Sequence, residues 1–124
     1  MRTIEDTTNP VGELGSFRQP LGLDHFATLR GTNGADNLLG KGGNDVLFSL
    51  GGRDNLLGAE GKDWLLGSNA RGRPLEGDKN LVGGPGNDGV VGGEDSDNLL
   101  GRSGNDFANG GPGFDNIVGG EGND

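Results

Sequence analysis

From Gly31 to the C-terminus the chain returns to one pattern every nine residues, and this period limits the folds open to it more than any other feature. In frame, the units read GTNGADNLL (31–39), GKGGNDVLF (40–48), SLGGRDNLL (49–57) and GAEGKDWLL (58–66). After a break come GGPGNDGVV (83–91), GGEDSDNLL (92–100), GRSGNDFAN (101–109), GGPGFDNIV (110–118) and the stub GGEGND (119–124). Position 6 is Asp in all of these, and position 4 is Gly except at Asp95. Counting back from Gly83 gives one more unit, PLEGDKNLV (74–82), with Lys79 at the Asp position. What remains is a seven-residue insert, 67–73, expected to bulge as a loop from an unbroken ladder.

A longer period lies within the short one. In alternate units position 7 is Asn: Asn37, Asn55, Asn80, Asn98 and Asn116. In the units between, Asn stands at position 5 instead (Asn44, Asn87, Asn105 and Asn123), with Lys62 the exception. The structural repeat is therefore 18 residues, two unlike nonapeptides per coil. Glycines at positions 1, 2 and 4 permit the positive φ of a tight six-residue loop. Positions 7 to 9 then form a three-residue strand, with position 8 pointing opposite to its neighbours. Two such strands per coil predict an all-β solenoid of two parallel sheets facing each other. Its seam is Leu38, Leu47, Leu56, Leu65, Leu81, Val90, Leu99, Ala108 and Ile117. With 29 glycines in 124 residues, only a thin, repetitive core, or one completed by a bound group, can offset the entropy lost on folding.

Stacking also creates a chemical problem. Units two apart lie above one another, so their sixth residues form two columns: Asp36, Asp54, Lys79, Asp97, Asp115 in one, and Asp45, Asp63, Asp88, Asp106, Asp124 in the other. Carboxylates one coil apart repel and need a counterion. Two carboxylates and a ring of loop carbonyls make a hard, flexible, all-oxygen cage. That suits Ca²⁺ better than Mg²⁺, which demands a stricter octahedron, or zinc, which would use His or Cys. The chain has no Cys, and its net charge of −9 favours cations and argues against nucleic acid as a partner.

These units resemble the calcium-binding nonapeptide GGxGxDxUx of the repeats-in-toxin (RTX, haemolysin-type) family, across residues 31–124. The resemblance implies a right-handed parallel β-roll with several Ca²⁺ ions between successive loops, in proteins often exported by type I secretion. It assigns the liganding role to Asp36, Asp45, Asp54, Asp63, Asp88, Asp97, Asp106, Asp115 and Asp124. Complete neighbouring pairs are Asp36/Asp54, Asp97/Asp115, Asp45/Asp63, Asp63/Asp88, Asp88/Asp106 and Asp106/Asp124. An ion at each would more than neutralise the chain and make folding and binding one event.

Departures from the pattern carry information. Lys79 interrupts one column, with its ammonium either standing in for an ion between Asp54 and Asp97 or turned to solvent. Asp95 at position 4 and Ser49-Leu50 at positions 1 and 2 make the loops around Asp97 and Asp54 less regular. The Asn37–Asn116 series reads as an amide ladder along the stack, or as a regular face for ice or sugar. Residues 1–30 lack the period and are expected to be an irregular cap or linker, with Leu23–Leu29 a candidate first strand or helical turn. They, or a partner, would cover part of the apolar surface around Val46, Trp64 and Phe107.

Catalytic chemistry finds little footing. His25 is the single histidine, and no HExxH, nucleophile elbow, Walker A or EF-hand loop occurs. The GxGxxG match at 84–89 has no helix after it and reflects glycine content. No apolar run is long enough for a membrane span, and the N-terminus has no apolar stretch of the kind a Sec signal carries. The expectation is a non-enzymatic, extracellular module that binds calcium ions and folds with them. A fused catalytic or adhesive domain in a longer exported protein, or a surface spacer, stays open as an alternative.

Overall fold

The computed structural model describes residues 2–5, 26–67 and 77–124. Eleven strands are present among them: β1 (Arg2–Glu5), β2 (Thr28–Arg30), β3 (Asp36–Gly42), β4 (Val46–Phe48), β5 (Asn55–Glu60), β6 (Trp64–Leu66), β7 (Asn80–Pro85), β8 (Gly89–Val91), β9 (Asn98–Ser103), β10 (Phe107–Asn109) and β11 (Asn116–Glu121). No described residue is helical. The strands alternate between two sheets, ordered β1-β3-β5-β7-β9-β11 and β10-β8-β6-β4-β2, and every pairing is parallel. The chain is a β-solenoid advancing 18 residues per coil, as the alternating asparagines predict.

Register follows the position-8 residues. Leu38 faces Leu56, Leu56 faces Leu81 and Leu81 faces Leu99 in one sheet. Leu47, Leu65 and Val90 do the same in the other. These side chains, with Leu29, form the buried core, and Ile4 and Ala108 pack against it. A one-residue slip would turn this row outward, so the seam itself fixes the register. Ile117 departs from the expected seam. It sits on the last strand, where no further rung covers it, and is 47% exposed.

Strand lengths differ between the sheets in a way the nonapeptide does not announce. Position 7 to 9 segments such as Val46–Phe48 are three residues long, as expected. Those of the other sheet run on through the first positions of the next unit, as in Asn55–Glu60 and Asn98–Ser103. Pairing continues there through Lys41–Ala59 and Gly84–Arg102, although Lys41, Ala59 and Arg102 all have positive φ. The ladder's own hydrogen bonds hold these non-glycine residues in a region they rarely adopt.

The ladder also begins upstream of Gly31. Thr28–Arg30 pairs with β4 and places Leu29 in the core, and Arg2–Glu5 pairs with β3, Ile4 beside Leu38. The expected irregular cap is thus regular at these two places; residues 6–25, including His25, lie outside the described residues. At the insert, the stagger between paired rungs rises from 18 to 25 residues, and the ladder continues unbroken across it. Residues 68–76 lie outside the described residues, and Gly67 donates its N–H to Val91 O at 2.8 Å. On the outer face, Trp64 and Phe107 remain 52% and 57% exposed.

Candidate metal centre

The two columns of position-6 residues form as the sequence predicts, buried at the point where each loop enters its strand. Asp36, Asp45, Asp54, Asp63, Asp88, Asp97 and Asp106 are buried; Asp115 is half-buried and Asp124 exposed at the open end. One oxygen of each carboxylate has a structural task. Asp63 Oδ1 accepts the amide of Asp45 at 2.8 Å, Asp88 Oδ1 that of Asp63 at 2.9 Å, and Asp106 Oδ1 that of Asp88 at 2.9 Å. Asp124 and Asp45 extend this column in the same way to Asp106 and Ala27. In the other column Asp54 caps the amide of Asp36 and Asp115 that of Asp97. All six expected pairs are therefore in hydrogen-bonded contact through one carboxylate and one amide.

The second oxygen is left over. On Asp63, Asp88, Asp97 and Asp106, Oδ2 is buried and has no hydrogen-bond partner; Asp54 Oδ2 has none either but lies 3.8 Å from the Lys79 ammonium. A buried carboxylate oxygen without a partner is costly, and a native fold rarely leaves a row of them uncompensated. Asp36 reverses the two oxygens because Thr32 occupies position 2 of its loop: the Thr32 amide and hydroxyl both donate to Asp36 Oδ2, and Oδ1 is the oxygen left buried without a partner. Electrostatics agree with the geometry. Burial, above all, pushes the carboxyls of Asp63, Asp88 and Asp97 up to about 6. Neighbouring carboxylates push the same way, Asp88 and Asp45 on Asp63 and Asp106 on Asp88, while amide hydrogen bonds resist. Asp54 is raised too by burial, against the pull of the Asp36 amide, Ser49 and Lys79.

Glycine shapes this cavity at two positions. At position 1 the reason is space rather than φ: a Cβ on Gly40 would come within 2.5 Å of Asp45 Oδ2, and Gly58, Gly83 and Gly101 meet Asp63, Asp88 and Asp106 alike. At position 4 in most units, Gly34 and Gly77 excepted, the backbone has positive φ and rests on the preceding rung. A Cβ on Gly61, Gly86 or Gly104 would strike the carbonyl oxygen of Gly43, Gly61 or Gly86. Carbonyl oxygens thus stack beside the carboxylate column. No three His, Cys, Asp or Glu side chains converge among the described residues. The donors on offer are paired carboxylates and backbone carbonyls, a set that fits a hard divalent cation and not zinc.

Some ladder residues had only a phase role in the sequence. Asn44 Oδ1 accepts the amide of Lys62, Asn87 that of Asn105 and Asn105 that of Asn123. Their recurrence at position 5 was the signal. The Asn37–Asn116 series is an amide ladder, with Asn55 donating to Asn37 at 2.8 Å and Asn116 to Asn98 at 2.7 Å. Lys79 is internal, its ammonium on the side of Asp54.

A parallel β-solenoid with stacked carboxylates, most of them buried, recurring along its turns defines a class of cation-binding repeat protein. The family profile of the RTX calcium-binding nonapeptide repeat matches residues 30–67, 76–108 and 100–124. The chain belongs to this family, and its calcium-binding character follows from that membership. Comparison with curated proteins and with solved structures returned no match. No described helix is long and apolar enough to cross a membrane.

Proposed function

We propose that the chain is a calcium-driven folding module whose two aspartate columns hold Ca²⁺ between successive coils. The row of buried, partnerless Oδ2 atoms carries this reading. Asp45, Asp54, Asp63, Asp88, Asp97, Asp106, Asp115 and Asp124 would hold the ions, with Asp36 at the first rung. A bound Ca²⁺ supplies positive charge and flexible oxygen coordination where the column aspartates supply only negative charge. The chain's own contribution is to fix the spacing. Apart from Asp36, each column Oδ1 is tied to an amide of the preceding rung, which fixes how the carboxylate is turned.

Without the ion, the glycine-rich, acidic chain has too little core to overcome its backbone entropy and charge repulsion. Ion binding is then folding free energy. Low cytosolic calcium would keep such a chain unfolded and exportable, and extracellular calcium, at the roughly 10⁻⁴–10⁻³ M dissociation constants usual for extracellular modules, would fold it. Circular dichroism during calcium titration tests the reading. The spectrum should pass from coil to β-sheet with Ca²⁺ and remain coil with equal Mg²⁺. An identical sheet spectrum in EDTA would defeat it.

A further inference from the structure

We propose that the Lys79 ammonium is a built-in cation that takes the place of a metal ion at one rung of the Asp36–Asp115 column. This inference rests on the calcium reading above. Lys79 stands where every other complete repeat has Asp, yet it is among the most deeply buried side chains, 1% exposed. Its Nζ donates to Gly52 O and Gly77 O, each at 3.0 Å, and lies 3.8 Å from Asp54 Oδ2. Gly77 is the position-4 residue of its own rung and Gly52 that of the rung before. The ammonium therefore sits among two stacked loop carbonyls and one column carboxylate, all oxygens.

The fit extends to its stem. A Cβ on Gly67 would come within 2.7 Å of Lys79 Cδ, much as position-1 glycines elsewhere clear room for the carboxylate. Asp97 is served differently. Its Oδ1 accepts the Lys79 amide at 2.9 Å, the same cap that aspartates receive throughout the columns. The residue thus keeps the backbone half of the aspartate's role and reverses the charge of the side-chain half. A buried lone ammonium is expensive, whereas one ringed by carbonyls and a carboxylate is compensated. The consequence is one stretch of the ladder, beside the insert, whose charge balance is independent of calcium.

Calcium stoichiometry of the full chain, by native mass spectrometry and calorimetry, tests this in wild type and Lys79→Asp. The variant should bind at least one ion more. Equal stoichiometry, with wild type still binding calcium, overturns the substitution of ion by ammonium and leaves the calcium reading intact. Wild type binding no calcium overturns both. A second arm needs no variant. In the calcium-saturated chain, acetylation of Lys79, followed by peptide mass, should run more than about tenfold slower than that of exposed Lys62, because it requires local opening. Equal rates would place the ammonium in solvent and overturn the proposal.

Discussion

Asp88 shows how one side chain serves two ends. Its Oδ1 caps the Asp63 amide at 2.9 Å, and its Oδ2 is buried without a partner. The two roles separate by substitution. Asp88→Asn keeps an oxygen for the amide and removes the charge; it should weaken calcium binding roughly tenfold or more while leaving the stripped chain no less folded than wild type. Asp88→Ala also leaves the buried Asp63 amide unmet, costing a further ~1–3 kcal/mol in the calcium-saturated state by urea unfolding. Proton linkage belongs to the same atoms. The folded-state carboxyls of Asp63, Asp88 and Asp97 lie at about 6, above the ordinary 3.8. Protonation therefore favours the fold: that stability is full below pH 3.8 and lost as pH rises through about 6. In EDTA, β-structure followed by circular dichroism should increase as pH falls from 7 to 4. With saturating calcium, protons compete with the ion and the trend should reverse.

At the scale of the strand and loop, stability is concentrated in the position-8 row. Leu65 is fully buried between Leu47 and Val90, and Leu65→Ala should cost about 2–5 kcal/mol in calcium-saturated urea unfolding. Ile117→Ala, on the half-exposed last rung, should cost under about 1 kcal/mol, measured in the same way. Much of this element pattern was legible beforehand. The seam from Leu38 to Leu99, the alternation between sheets and the unbroken ladder across the insert all follow from a period that specifies side-chain direction and register together. The unequal strand lengths were not legible. Lys41, Ala59 and Arg102 are poor candidates for positive φ, and only neighbouring rungs hold them there. The purpose of glycine at position 1 was likewise hidden. It depends on where a carboxylate five residues later turns, which is a tertiary fact.

For the whole molecule, the solenoid couples each rung only to its neighbours, so stability is a sum of rung and interface terms. Charge enters that sum at every loop. The columns and six contact pairs were readable because a nine-residue period with Asp at position 6 leaves stacked carboxylates no other place. The division of labour between Oδ1 and Oδ2 was not, because spacing says nothing about which oxygen meets an amide. Nor was the side of Lys79: its ammonium joins Asp54 and two carbonyls, and only its amide reaches Asp97. The central claim is that this backbone becomes compact only when a divalent ion fills the gaps. Small-angle scattering at pH 7.5 measures that directly. A radius of gyration of about 14 Å with calcium and roughly 36 Å in EDTA is the expected result for folded and unfolded chains of this length. An EDTA-treated chain as compact as the calcium-loaded one would contradict the account.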